Sequence, residues 1–266
     1  MSDQHHIKSY DLILSLGGSC AVANQLKVRE LRLFSLPFDW VFCVSPDALA
    51  RLADCFRDDF ARWMLPGNLV EVDAEDRNAH AAKYQYRDTF TGYRFLHDFS
   101  EPKEVCAEEV RSKYLRRIER LYEKLRAADS IALCFDAKYP GSEGNLLAIR
   151  SLLLEKFGTE KTVDCYLVEF CASRHETICQ NHLTIFRFTH PKTDYIFGPN
   201  PTFEFSFLDD FRLTAKFKSE ERGKGRWFYV AHTPHGIRIW LWRTARPVFG
   251  MKVSAGRREL DFRIGK

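Results

Sequence analysis

The sequence lacks any run near the roughly 18 apolar residues that a membrane-spanning helix requires, so we expect no transmembrane segment. Its start, Met-Ser-Asp-Gln-His-His, has neither the basic stretch nor the apolar stretch of a secretory signal. Internal repeats and low-complexity segments are also missing, which excludes solenoid and collagen-like proteins. With no export signal, the eight cysteines are expected to remain thiols in a reducing cytoplasm.

The composition is that of a folded globular protein. The 266 residues are 45% apolar and 29% charged, and 22 are Phe, which suits a thick aromatic core. The net charge of +4 is unevenly distributed, because residues 211–266 carry 14 Lys/Arg and 4 Asp/Glu, a local net charge of +10. The remaining residues carry −6, so the C-terminal segment is the part expected to meet an anionic ligand, although a solvated basic face explains it as well.

Apolar runs and amphipathic segments alternate along the first 190 residues. This order predicts an α/β fold, a mostly parallel doubly wound sheet with helices on both faces, in a domain spanning residues 1–190. The predicted strands are Tyr10–Leu16, Leu69–Val72, Tyr93–Leu96, Ser130–Phe135 and Val163–Phe170, and the predicted helices are 21–31, 46–60, 102–128, 145–157 and a short one around His175.

From about residue 183 the pattern changes to a period of two. Residues 191–266 are therefore predicted to form a separate basic, aromatic-rich antiparallel segment, with strands at 203–207, 211–217, 226–231 and 237–242. Arg238, Trp240 and Trp242 share one strand face, and aromatic rings beside arginines suit sugar rings or an anionic ligand. Packing against the α/β domain is the alternative explanation. No nucleic-acid-binding motif is present, so nucleic acid is not the expected partner.

Cys20 is the residue most suggestive of chemistry. It follows Gly17, Gly18 and Ser19 where a predicted strand turns into a helix, and a helix N-terminus lowers a thiol pKa and stabilises the thiolate. Backbone N–H groups of the same turn, Gly17 to Ala21, are candidates for holding an oxyanion, and the glycines let a substrate approach closely. A tight turn with a small buried cysteine is the simpler alternative. The turn lacks the Gly-Lys-Ser/Thr of a phosphate-binding P-loop.

A thiol nucleophile requires a base that is close in space, normally His. His97 ends a predicted strand beside Asp98, which makes it the leading candidate, and Asp98 or Asp39 is the candidate orienting carboxylate. A structural histidine at position 97 is the competing interpretation.

Three ordered motifs carry a resemblance: Ser-Leu-Gly-Gly-Ser-Cys (15–20), Ser-Leu-Pro-Phe-Asp-Trp (35–40) and Phe-Leu-His-Asp-Phe (95–99). Together they resemble a bacterial family of uncharacterised proteins described as "putative papain-like cysteine peptidases", over roughly residues 10–135. The resemblance implies Cys20 as nucleophile and His97 as base, with Asp39 or Asp98 as a third member. It also implies a basic helix after the third motif, matched by Lys113, Tyr114, Arg116, Arg117 and Arg120.

The strand–turn–helix setting of Cys20 also resembles Ser-hydrolases with a Gly-Asp-Ser turn and capsule-biosynthesis proteins with a Gly-Asn-Cys turn. We therefore expect a cofactor-free thiol enzyme acting on an acyl-, peptide- or glycan-containing substrate, as a peptidase-type hydrolase or an acyltransferase. Two alternatives come from other classes. One is a non-catalytic module that binds an anionic ligand or glycan. The other is a zinc protein using Cys165, Cys171, His175 and Cys179, three of which share a helix face if the segment is helical.

Overall fold

The computed structural model describes residues 7–43, 45–78, 81–137, 141–171, 176–189, 205–217, 227–233, 236–242 and 247–253. The chain divides into two compact units, residues 1–216 and 217–266. In chain order the elements of the first unit are β1 (Lys8–Tyr10), β2 (Leu12–Ser15), α1 (Cys20–Val28), β3 (Val41–Cys43), α2 (Ala48–Arg57), β4 (Leu69–Glu71), β5 (Tyr84–Asp88), β6 (Tyr93–Phe99), α3 (Lys103–Ala127), β7 (Ser130–Ala137), α4 (Glu143–Phe157), β8 (Thr162–Cys171), β9 (Glu176–Gln180), β10 (Leu183–Thr189) and β11 (Phe211–Leu213). The second unit contains β12 (Trp227–Thr233), β13 (Gly236–Trp242) and β14 (Pro247–Val253).

The central sheet of the first unit has five strands in the order β2-β7-β8-β10-β9. The β2–β7, β7–β8 and β8–β10 pairs are parallel, and β9 runs antiparallel at one edge. Consecutive residues of β2 and β7 are buried, as continuous apolar strands are when both faces of a sheet are covered. A mostly parallel sheet is thus present. The doubly wound arrangement with helices on both faces stays a prediction.

A second sheet was not predicted from the sequence. It is antiparallel, with the strand order β3-β6-β5-β4, so the fold is mixed α/β with both parallel and antiparallel strands. The sequence hides it because β3 and β4 have three residues each and β5, Tyr-Gln-Tyr-Arg-Asp, is polar. Such segments have too little apolar alternation to stand out.

An aromatic core joins this second sheet to helix α3. Trp63 is fully buried at its centre, and rings from four other parts of the chain lie within 6.3 Å of it, centroid to centroid. Edge-to-face contacts of this kind add to the stabilisation from burial alone. The rings belong to Phe38, Phe60, Tyr93, Phe95 and Tyr114.

Two local predictions are wrong. The segment after β8 is a strand, β9, and not a helix around His175, which itself lies outside the described residues. Residues 206–210 form a 3-10 helix where a strand was predicted, and β11 pairs in parallel with β1 instead of joining a meander. The physical reason is burial, because Phe205, Leu208 and Phe211 enter the core on the α1 side of the central sheet.

The second unit is a three-stranded antiparallel sheet in the order β12-β13-β14. The predicted strands at 226–231 and 237–242 correspond to β12 and β13, whereas β14 was not predicted. The two compact units meet at residues 216 and 217, since β11 still pairs within the first unit. The predicted division at residues 190 and 191 falls in a stretch that begins outside the described residues.

Candidate functional site

The turn between β2 and α1 is held in place by the rest of the protein. Gly17 and Gly18 have φ values of 88° and 89°, the left-handed region that glycine adopts at little cost. A Cβ on Gly17 would lie 2.8 Å from the ring of Tyr93, and one on Gly18 only 1.9 Å from the carbonyl oxygen of Asp136. Internal packing therefore accounts for both glycines without any substrate approaching the backbone.

Helix α1 begins directly after Ser19. The hydroxyl of Ser19 accepts a hydrogen bond from the backbone N–H of Ala21 at 3.1 Å, which satisfies one free donor of the first helical turn. The same hydroxyl donates to the carboxylate of Asp136 at 2.6 Å. Asp136 lies near the carboxyl end of β7, the parallel neighbour of β2, so Cys20 stands at the edge of the sheet where α/β proteins bind ligands.

The structure brings His97 to Cys20. The Nε2 atom of His97 lies 4.0 Å from the sulfur of Cys20, although 77 positions separate the two residues. Cys20 is half-buried, and His97 is exposed near the end of β6 in the antiparallel sheet. This distance is that of a long sulfur–nitrogen contact, and such contacts in ligand-free sites commonly shorten in the reacting complex.

The pKa of Cys20 moves in the direction opposite to the sequence-based expectation. Burial raises the pKa of the Cys20 thiol to about 11, and the negative charges of Asp98 and Asp39 act in the same direction. A hydrogen bond from the backbone N–H of Cys20 lowers it by less. Desolvation outweighs the helix N-terminus here, so the resting group is a neutral thiol and not a preformed thiolate.

Asp98 is bound to helix α3 rather than to the imidazole next to it in sequence. Its carboxylate accepts hydrogen bonds from Lys113 Nζ at 2.6 Å and from the hydroxyl of the fully buried Tyr114 at 2.8 Å. Neighbouring residues on a strand point to opposite faces, which explains why Asp98 and His97 diverge.

Asp39 is likewise committed elsewhere. Its carboxylate is 1% exposed, pairs with Arg32 at 2.9 Å and accepts the backbone N–H of Leu36 at 2.9 Å. Burial raises the pKa of this carboxyl, while the charges of Arg32 and Arg117 and the Leu36 N–H oppose the shift. Among the described residues, neither Asp39 nor Asp98 makes a hydrogen bond to His97.

The basic face of α3 points partly inward. Arg120 donates to the carbonyl of Ser35 at 3.0 Å, and Lys124, 3% exposed, lies 4.9 Å from the centroid of the Phe34 ring. Arg117 lies 5.0 Å from the Tyr114 ring. These contacts hold the segment that contains the Pro-Phe-Asp-Trp motif, so part of the basic helix has a structural role.

Only part of the turn's backbone is available for an oxyanion. The N–H of Gly17 donates to the hydroxyl of Ser15 at 3.3 Å, and that of Ala21 is used by the Ser19 cap. Within the described chain, the N–H groups of Gly18 and Ser19 make no hydrogen bond to protein atoms.

The cysteine-rich segment does not form the arrangement that a zinc site would need. Cys171 ends β8 opposite Thr189 of β10, and Cys179 in β9 is opposite Thr184. Five residues along a strand separate these register positions by about 17 Å. Cys165 is buried within β8, and His175 is outside the described residues. In the part of the chain that the structure describes, no group of three His, Cys, Asp or Glu residues is arranged to hold a metal ion.

Sequence reasoning missed Tyr93 and Asp136, which border the turn. Asp136 directly follows the predicted strand 130–135, and the position of ligand sites at strand carboxyl ends was a signal for it. Tyr93 opens a predicted strand but had no signal connecting it to the glycine turn, because that contact spans 77 positions.

These features define a mixed α/β protein with a cysteine at the N-terminus of its first helix and a histidine from a second sheet beside it. A family model described as "Putative papain-like cysteine peptidase" matches residues 11–156. The chain belongs to this family, and the family's description supports a cysteine-peptidase-like function at the level of the family.

One similar protein comes from a virus. An uncharacterized protein of Acanthamoeba polyphaga mimivirus is 25% identical over 170 residues, which cover 59% of this chain and 76% of that protein. The bacterial origin implied by the motif resemblance stays a prediction. No solved structure matches the chain. Among the described residues, no helix combines the length and apolarity needed to cross a membrane.

Proposed function

We propose that the protein is a cofactor-free thiol enzyme that transfers acyl groups, with Cys20 as nucleophile and His97 as general base. The observation that carries the proposal is the 4.0 Å distance between Cys20 Sγ and His97 Nε2 at the start of α1. The family's description is in accord with it. A peptidase-type hydrolase is the leading form, and an acyltransferase or esterase acting on a glycan is the alternative that shares the same chemistry.

The raised thiol pKa shapes the proposed mechanism. As Sγ attacks the substrate carbonyl carbon, the thiol proton passes to His97 Nε2 and the carbonyl π electrons move to oxygen. The N–H groups of Gly18 and Ser19 are the proposed donors to that oxyanion. When the tetrahedral intermediate collapses, His97 returns the proton to the leaving group and a thioester remains on Cys20. Water, or a sugar or amine acceptor, then attacks the thioester with His97 again as base.

Asp98 and Asp39 are proposed to act through their charge and not through a hydrogen bond to His97. Both charges lie close enough to Cys20 to raise the pKa of its thiol. The same charges stabilise the imidazolium that forms when His97 takes the proton.

The test is the pH dependence of iodoacetamide alkylation at Cys20, followed by peptide mass spectrometry. With a pKa of about 11, only a small thiolate fraction exists at pH 7 to 9, so His97 should supply most of the reactivity there. We expect His97→Ala to slow Cys20 alkylation in this range by about tenfold or more, while the exposed Cys179 reacts unchanged.

His182→Ala is the matched control, because His182 is exposed and contacts Asp164 on β8, outside the site. It should leave Cys20 alkylation as in the wild type. Equal Cys20 rates in the wild type and in His97→Ala would contradict the proposal and leave Cys20 as a structural thiol.

We further propose that the second unit binds an acidic glycan. The strand register supports this, because it puts Trp227 and Tyr229 of β12 on the same sheet face as Trp242, Trp240 and Arg238 of β13. The opposite face carries aliphatic and aromatic positions suited to packing, at Phe228, Val230, Ile237, Ile239 and Leu241. The aromatic and basic face is therefore not required for a core, and its charge suits an anionic ligand.

A binding measurement separates this role from catalysis. We expect the full-length protein to bind dextran sulfate more tightly than uncharged dextran, and Arg238→Glu to weaken that binding at least severalfold. Cys20→Ala should bind as the wild type, and Arg57→Glu, a charge reversal on α2, serves as the control for net charge. Equal losses in Arg238→Glu and Arg57→Glu, or preferential binding of a single-stranded oligonucleotide, would contradict the assignment.

A further inference from the structure

The strand that carries His97 is tied directly to the turn that carries Cys20. Tyr93 lies four residues before His97 on β6, and its hydroxyl donates a hydrogen bond of 2.8 Å to the carbonyl of Leu16, the residue before Gly17. The Tyr93 ring is fully buried against Gly17. This contact crosses from the antiparallel sheet to the end of a strand of the parallel sheet.

The turn is held from its other side by β7. The carbonyl oxygen of Asp136 occupies the space beside Gly18, and its carboxylate accepts the hydroxyl proton of Ser19 at 2.6 Å. Asp136 is 4% exposed, so this hydrogen bond is formed largely away from water, where it holds its partner firmly. The backbone before Cys20 is therefore fixed against two strands from two different sheets.

We propose that Tyr93 and Asp136 are positioning residues that set the distance between Cys20 Sγ and His97 Nε2. Neither acts on the reacting atoms itself: Tyr93 acts through the carbonyl of Leu16, and Asp136 acts through Ser19. A displacement of about 1 Å between reacting groups can cost on the order of 100-fold in rate, so a tie of this kind affects reactivity directly. The inference rests on the proposed Cys20–His97 function.

The test is a double-mutant cycle between Tyr93→Phe and His97→Ala, read as the rate of Cys20 alkylation in the full-length protein. Tyr93→Phe removes one hydroxyl and keeps the ring against Gly17. We expect it to slow alkylation about tenfold when His97 is present and to have no further effect when His97 is already alanine. A change that only loosened the fold would act equally in both backgrounds.

Tyr86→Phe is the matched control. Tyr86 belongs to β5 of the same sheet, is buried, and its hydroxyl oxygen accepts a backbone N–H from Lys103 at 2.9 Å. Its removal should leave Cys20 alkylation unchanged. Ser19→Ala is a second variant that removes the contact with Asp136, and it should show the same dependence on His97 as Tyr93→Phe. It keeps the inference testable even when Tyr93→Phe does not fold, which thermal unfolding and Cys179 labelling reveal.

Three outcomes separate the inference from the function beneath it. Equal slowing by Tyr93→Phe with and without His97, or wild-type rates in both Tyr93→Phe and Ser19→Ala, would overturn the positioning role alone. An unchanged rate in His97→Ala would overturn the proposed function and the positioning role with it. Slowing that depends on His97, with Tyr86→Phe unaffected, supports the inference.

Discussion

The carboxylate of Asp98 accepts a hydrogen bond of 2.8 Å from the fully buried hydroxyl of Tyr114, one residue away along the chain from an imidazole that it does not bond. Lys113 holds its second oxygen at 2.6 Å. Asp98 therefore acts on the candidate site through its charge, and the thiol of Cys20 is where that charge is felt.

Replacing Asp98 by Asn should lower the pKa of Cys20. The charge of Asp98 raises this pKa, and the amide removes that charge, so the midpoint of the pH–alkylation profile should move to a pH below about 11. Asp76→Asn is the control, because Asp76 is 59% exposed, pairs with Arg94 and does not contribute to the Cys20 shift. A midpoint unmoved in Asp98→Asn would show that burial alone sets the pKa.

Replacing Arg32 by Met should destabilise the fold strongly, because it leaves the carboxylate of Asp39 buried without its ion-pair partner. We expect a loss of about 3–5 kcal/mol at pH 7 by urea unfolding. Arg57→Met removes an ion pair between half-exposed side chains, Arg57 and Asp54, and should cost less than about 1 kcal/mol.

The pH dependence of the Arg32→Met variant follows from the sign of the Asp39 shift. Burial raises the pKa of Asp39, so the folded state binds the proton more tightly than the unfolded state, and stability falls as pH rises through the folded pKa. Without Arg32 this pKa rises further. The stability deficit relative to wild type should therefore be smaller at pH 5 than at pH 7, and an equal deficit at both would show that Asp39 is not the group responsible.

Replacing Gly18 by Ala tests whether β7 fixes the turn. Gly18 and Gly141 have nearly the same φ, 89° and 87°, but a Cβ on Gly18 would lie 1.9 Å from the Asp136 carbonyl, whereas nothing lies within 4 Å of one on Gly141. Gly141→Ala should cost about 1–2 kcal/mol from backbone strain. Gly18→Ala should cost at least about 2 kcal/mol more, from overpacking. Similar melting temperatures for both variants would contradict the close approach.

Thiol accessibility provides a test of the core. Burial raises the pKa of Cys55, Cys134 and Cys165, that of Cys165 to about 12, and all three are buried, whereas Cys179 is exposed. Under native conditions a thiol reagent should modify Cys179 first and reach the three buried thiols only as urea unfolds the chain. Native labelling of Cys134 at the rate of Cys179 would contradict the burial of β7.

The sequence by itself determined the features that depend on neighbouring residues. The order of strands and helices gave the mostly parallel central sheet, and the Gly-Gly-Ser-Cys segment gave a strand, a turn and a helix that starts at Cys20. Both follow from local rules: apolar runs form buried strands, glycines permit positive φ, and Ser caps a helix. The long helix α3 was predicted to within one residue at each end for the same reason.

Only the tertiary structure decided what surrounds the thiol. The approach of His97, the binding of Asp98 by α3 and of Asp39 by Arg32, and the ties from Tyr93 and Asp136 all join residues from separate elements. The short polar strands of the second sheet gave no periodic signal, and without that sheet the position of His97 could not be derived. The pKa of Cys20 was mispredicted for the same physical reason: a helix N-terminus is visible in sequence, whereas desolvation exists only once the chain has packed.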